Sequence, residues 1–269
     1  MQISEKVTRL KADFDGVYKS GMENSENYKS GYADGKQEGY TEGKVDGIEQ
    51  GKQAEYDAFW DAYQEKGNRA NYSYAFAIGW DNEIFKPKYD IIPTSAMNMF
   101  YTSRITGDLV ELCERQGVVL DFSKATNLNY LFGDGYQSRI GVVDVRAASN
   151  STVGLFYFAK CETIDKIILK SDGSSTFTSW FDYTYDIINV NFEGVIGQSG
   201  LNLQWSTKLS KASIISVIDH LSKETSGLSI TFSKAAVDRE FEEGDRLGSD
   251  SQEWEEILQN HSNCTISLI

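Results

Sequence analysis

Proline is almost missing from this chain. Its two prolines, Pro87 and Pro93, fall in one short window, so no proline interrupts a helix or strand after residue 93. Cysteine is nearly as scarce. Cys113, Cys161 and Cys264 are far apart and odd in number, which excludes a disulfide framework and zinc-ligand spacing. Only two histidines occur. His220 lies in a DHLSKE helix and His261 in a polar turn, and neither has a Ser-x-Gly, Cys or HExxH context, so triad and zincin chemistry are unsupported. Both read as surface or capping residues. Basic charge is in deficit, 26 Lys and Arg against 40 Asp and Glu, and the net charge of −14 argues against nucleic acid as a partner.

No apolar run reaches transmembrane length, and the start, MQISEKVTRLKADFDG, lacks the apolar core of a secretory signal. The expectation is a protein made in the cytoplasm, not exported by the usual route and not inserted in a membrane. The sequons at Asn71, Asn150, Asn260 and Asn263 then carry no weight. No phosphate-cradling glycine loop follows a strand. DFDG (13–16) and GDG (133–135) lack the full ligand spacing of a calcium loop, so no metal and no cofactor is expected. Acids are plentiful, but no pair repeats on adjacent strands as glycan cleavage would need. Asp121, Asp144 and Asp165 read as solvent-facing turn residues.

What is present is glycine in a strict pattern. Residues 31–54 read GYADGKQE, GYTEGKVD, GIEQGKQA, with glycine at every fourth position: Gly31, Gly35, Gly39, Gly43, Gly47 and Gly51. Four residues advance slightly more than one helical turn, so these glycines form a slowly drifting stripe on a helix. Each costs about 1 kcal/mol relative to alanine, and close approach of another helix along the stripe would offset that. Tyr32, Tyr40 and Ile48 follow alternate glycines and complete a candidate assembly interface. Packing on copies of itself would make the protein a homo-oligomer. The other reading is a flexible polar tether.

Before the octads, Val7, Leu10, Phe14 and Val17 fall at helical spacing. After them aromatics become dense. Tyr56, Phe59, Trp60 and Tyr63 are helically spaced up to Gly67, and residues 68–95 hold aromatics without a period. Residues 55–95 read as an aromatic junction whose rings form a small core rather than a sugar platform.

From residue 96 short apolar runs recur: 118–122, 140–145, 164–169, 188–192, 201–205, 228–232 and 264–269. Val143, Ile167 and Val190 align at spacings of 24 and 23, preceded by Phe132, Phe158 and Phe181. A period in the low twenties with one strand per unit is the pattern of a leucine-rich-repeat solenoid. Residues 209–224 place Leu209, Ile214, Ile215, Ile218 and Leu221 on one helical face with Ser210 as N-cap. AVDREF and residues 251–260 form further helical inserts, and CTISLI closes the chain as an edge strand. The expected class is α+β: a Gly-patterned helix over 1–54, a junction over 55–95 and a short repeat β-solenoid with helical capping units over 96–269.

The stretches LFYFAKCETIDKIIL, WFDYTYDIINVNFEG and GLNLQWSTKLSKASIISVIDHL resemble BspA-type leucine-rich repeats. Cys161 fits that family's cysteine slot, Tyr185 or Asp186 occupies it in the next unit, and the family's strand prolines are absent. With YDAFWDAYQEKGNR and AFAIGWDNEIFKPKYDI ahead of such repeats, residues 50–269 resemble structural proteins of phages and prophages. The resemblance implies a virion or tail-associated, non-enzymatic interaction protein, released with the particle, with other particle proteins and a host surface glycan or protein as partners. It supplies no catalytic residues. The contact residues expected on the repeat surface are Tyr157, Trp180, Tyr183 and Tyr185, in the segments before the strands. The alternatives are a purely architectural particle protein and a glycan depolymerase on the same scaffold.

Overall fold

The computed structural model describes residues 34–48, 50, 51, 54, 58, 85, 87, 89–103 and 105–269. The expectations for residues 1–33, among them Gly31 and Tyr32, and for the aromatics from Tyr56 to Trp80 lie outside these residues. The chain divides into two compact units, Met1–Ala58 and Phe59–Ile269.

In the first unit, helix α1 covers residues 34–48, and residues 50, 51, 54 and 58 are also helical. Thr41 Oγ1 donates back to the Gln37 carbonyl at 2.8 Å. A Cβ added at Gly35, Gly39, Gly43, Gly47 or Gly51 would meet nothing within 4 Å. Tyr40, Val45 and Ile48 are all more than half exposed. The described residues of the octads are thus helical, and their glycines touch no other described part of the chain.

The second unit runs β1 (Thr106–Asp108), α2 (Leu109–Arg115), β2 (Tyr136–Asp144), β3 (Thr163–Ile168), β4 (Asn189–Glu193), β5 (Leu201–Leu203), α3 (Lys211–Asp219), β6 (Leu228–Phe232), α4 (Lys234–Glu240), α5 (Gln252–Asn260) and β7 (Cys264–Leu268). The strands form two wholly parallel sheets, β1-β2-β3-β4 and β5-β6-β7. Parallel neighbours need a crossover, and here each is the rest of one unit of the repeating sequence. Six of the seven expected strands form. Residues 118–122 instead contribute only a bridge from Leu120 to Ile91. The pair β1 and α2 has no sequence-level counterpart above. Asp108 ends the strand and caps the helix, its side chain accepting from the Glu111 N–H.

The strand alignment needs one correction. Val143 pairs with Ile167 as expected, but Ile167 then pairs with Phe192, while Val190 pairs with Ile164. A register irregularity between Ile164 and Ile167 absorbs the difference. The phenylalanine alignment needs another. Phe156, not Phe158, lies between Phe132 and Phe181: the rings of Phe100, Phe132, Phe156 and Phe181 stack in sequence with centroids 5.3, 5.8 and 5.2 Å apart. All four are buried, and Phe158 is 40% exposed.

This spine sits inside a column of stacked turns. Phe100, Phe132 and Phe156 each donate a backbone N–H to the next unit, at Leu131, Leu155 and Trp180, over 2.9–3.0 Å. Two residues on either side in each unit adopt positive φ: Asn98 and Thr102, Tyr130 and Asp134, Gly154 and Phe158, Ser179 and Tyr183. Left-handed backbone is costly for side-chain-bearing residues, about 1–2 kcal/mol each, so the ladder and the spine must hold these turns in place.

Helix α3 forms as the 209–224 pattern requires, with Ser210 accepting from the Ser213 N–H and Ile214, Val217 and Ile218 buried. Ile215 lies at the half-buried margin. The helix also closes the first sheet. The β4 N–H groups of Val190 and Phe192 donate to the hydroxyls of Ser213 and Ser216, each at 2.9 Å. His220 and His261 are the C-caps of α3 and α5, as their positions in the sequence suggest.

Candidate functional site: an aromatic strip across the repeating units

Aromatic residues one or two places from each spine phenylalanine turn away from the core: Tyr101 follows Phe100, and Tyr130 precedes Phe132 by two. Tyr157 and Phe158 follow Phe156, and Tyr183 follows Phe181 by two. Because the turns stack at the spacing of a parallel ladder, rings from successive units meet. Tyr101 packs edge-on against Tyr130, Tyr130 against Tyr157, and Tyr157 against Tyr183, at 6.2, 5.9 and 5.9 Å. Phe158 stacks on Tyr183 at 4.4 Å and 15°, and Tyr183 on Trp205 at 4.9 Å and 26°. Tyr185 closes the row against Trp205 at 5.6 Å.

Glycines make room for the first rings. A Cβ at Gly133 would lie 2.6 Å from the Tyr101 ring, and one at Gly154 would lie 2.4 Å from Tyr130. Those two rings therefore lie flat on bare backbone and remain half-buried. Phe158, Tyr183 and Tyr185 are exposed. Single exposed apolar side chains are ordinary, but a contiguous row is not. Desolvation, then the neighbouring Tyr183, raises the Tyr157 phenol above its ordinary pKa. Lys160 sits 4.4 Å over the Tyr136 ring, and Lys208 pairs with Asp186 at 2.7 Å.

Three of the four expected contact residues, Tyr157, Tyr183 and Tyr185, belong to this strip. Trp180 does not. It is 2% exposed, its indole N–H donates to the Thr152 carbonyl at 3.0 Å, and it packs on Phe177. An indole with a buried acceptor for its N–H is a core residue. Tyr101, Tyr130 and Trp205 were not singled out in the sequence, and Phe158 was expected in the buried row and not on this surface. The signal available for Tyr101, Tyr130 and Phe158 was an aromatic one or two places from a spine phenylalanine, once that spine is aligned correctly; Trp205 has no such marker.

The acids are placed differently from expectation. Asp144 is buried in β2, and Arg146 Nη2 grips it at 2.6 Å. Desolvation pushes its carboxyl up, but the Arg146 guanidinium and N–H outweigh this and hold it below its ordinary pKa. Asp165 lies on β3 and receives two bonds from Arg139, 2.8 and 2.7 Å, while Arg139 also reaches Asp108 on β1 at 3.1 Å. Through Arg139, Asp165 and Asp108 tie β3 and β1 to β2, whereas Asp144 is held by Arg146 two residues on in its own segment. Asp121 does bend a turn, accepting from the Ser123 N–H at 2.8 Å.

Burial pushes the Cys113 and Cys161 thiols up to about 12, so both stay protonated. Among the described residues no group of three or more His, Cys, Asp or Glu is placed to hold a metal ion. No helix among them is long and apolar enough to cross a membrane. No family model, curated protein or solved structure matches the chain.

Proposed function

We propose that this chain is a non-enzymatic binding protein. Its repeating units stack as a short leucine-rich-repeat-type solenoid, and the aromatic strip is the surface that engages a partner. The observation that carries this reading is the row of rings in contact from Tyr101 to Tyr185 over five successive units, half-buried at Tyr101, Tyr130, Tyr157 and Trp205 and exposed at Phe158, Tyr183 and Tyr185. Tyrosine and tryptophan supply large contact area at small entropic cost and dominate binding hot spots. In this reading helix α1, with its bare glycine stripe, serves self-assembly or docking to a larger particle. The phage setting comes from the sequence resemblance of residues 50–269.

The orientation of the rings favours a protein partner over a glycan. A sugar stacks on an open ring face. Phe158, Tyr183 and Trp205 turn their faces on one another, at 4.4 and 4.9 Å, and leave edges outward. Edges and phenolic hydroxyls suit the side chains and backbone of a protein surface.

The test is binding of the labelled full chain to host cell walls and host surface proteins, with Tyr183→Ala/Trp205→Ala alongside. Saturable micromolar binding, weakened at least tenfold by the double variant, is the expected result; tenfold is about 1.4 kcal/mol, below a typical hot spot. Saturable binding that the double variant leaves intact would remove the strip from the reading. Absence of saturable binding would favour the architectural alternative, and loss of polysaccharide viscosity the depolymerase.

A further inference from the structure

The two sheets end differently. The last strand of the first, β4, has its outward N–H groups at Val190 and Phe192 met by Ser213 and Ser216 of α3. Among the described residues the last strand of the second, β7, has no such cover. The Asn263 carbonyl accepts from the Gly227 N–H at 2.8 Å, and the Ile269 N–H donates to Phe232 at 3.1 Å, so the odd-numbered residues turn their backbone toward β6. Backbone groups alternate sides along a strand, which turns the N–H and C=O of Ile266 and Leu268 to the outer edge. Among the described residues no strand or bridge pairs there.

The side chains repeat the contrast. Cys264, Ile266 and Leu268 are in register with Leu228, Ile230 and Phe232, which are 1–2% exposed, yet they are themselves only half-buried. Native sheets blunt their edges with lysine, proline or a bulge. Residues 264–269, CTISLI, hold no charge and no proline in a chain of net charge −14, and the β6–β7 register runs without a shift.

We propose that β7 pairs antiparallel with β7 of a second copy about a twofold axis through Ile266. A twofold axis makes two identical edges antiparallel. In the register centred on Ile266 the two Ile266 residues exchange both backbone bonds, and each Leu268 N–H donates to the Cys264 carbonyl of the other copy. The same register sets Thr265 against Ser267 on the polar face and apolar side chains together on the other. A second copy is the occupant this strand fits: its polar–apolar alternation is symmetric about Ile266, and a neutral strand meets no like-charge repulsion from its twin. The α1 stripe plays no part in this interface.

The experiment is light scattering of the full chain over a dilution series, with two double variants. Thr265→Glu/Ser267→Glu sets acid opposite acid twice; Thr265→Lys/Ser267→Glu sets opposite charges together at the same places. Circular dichroism checks that each variant folds. The expected result is a wild-type mass that Thr265→Glu/Ser267→Glu halves, with association at least tenfold weaker, and that Thr265→Lys/Ser267→Glu retains. A monomeric wild type, an acid–acid variant of unchanged mass, or equal loss in both variants would overturn the proposal. Assembly through α1 alone gives the second of these outcomes.

Discussion

Replacing Phe156 and, separately, Phe158 by alanine distinguishes the buried spine from the exposed strip, although the two residues are only two apart, on either side of Tyr157. Phe156 is fully buried and stacks on Phe132 at 5.8 Å and on Phe181 at 5.2 Å. Truncating a buried phenylalanine costs about 3–5 kcal/mol. Two ring pairs, each worth about 0.5–1.5 kcal/mol beyond area, place Phe156→Ala in the upper half of that range. Phe158 is 40% exposed and keeps one stacked partner, Tyr183 at 4.4 Å. Full burial of such a side chain is worth about 1.5–3 kcal/mol, so its partial burial and one stack give about 1–2 kcal/mol for Phe158→Ala. Glycine adds a second discriminator. Phe158 has φ of 58°, where glycine is unstrained, so Phe158→Gly is expected to be more stable than Phe158→Ala by about 1 kcal/mol. At Phe156 the order is the reverse, because its backbone is not left-handed. The assay is urea unfolding followed by tryptophan fluorescence, with the slope checked for constancy. A Phe158→Ala variant as unstable as Phe156→Ala, or glycine worse than alanine at both positions, would refute the assignment of the spine.

Ser213→Ala removes the hydroxyl that accepts from the Val190 N–H and donates to the Ile188 carbonyl, which leaves a buried edge group unmet. A loss of about 1–3 kcal/mol is expected, with faster hydrogen exchange at the Val190 amide. Asp144 has a depressed pKa in the fold, so its contribution is present above its unfolded pKa and is lost as pH falls through the folded value. Arg146→Ala removes the guanidinium and leaves only the N–H of residue 146 to oppose desolvation, so the Asp144 pKa rises: the variant is expected to be less stable than wild type at neutral pH and to lose less on acidification, read as urea midpoint against pH.

The sequence by itself determined much of the framework. Period-two apolar alternation and a spacing in the low twenties located β2, β3, β4, β5, β6 and β7, because a stacked unit must bury one strand face. Ser210 and the apolar face behind it located α3, since capping and amphipathic period are local properties. Glycine every fourth residue located α1. Tertiary structure decided what depends on contact between units. Phe158 looked like the spine because spacing alone cannot tell an inward phenylalanine from one two residues later; positive φ at Phe158 turns its ring outward. Trp180 looked like a contact residue until the Thr152 carbonyl gave its N–H a buried acceptor. Asp165 looked like a turn residue until Arg139, 26 residues away in sequence, tied it to β2; Asp144 looked like one until its place in β2 buried it against its own sequence neighbour Arg146. The aromatic strip itself exists only because stacked turns bring rings 22 to 29 residues apart into contact, a proximity that only the ladder of backbone bonds fixes.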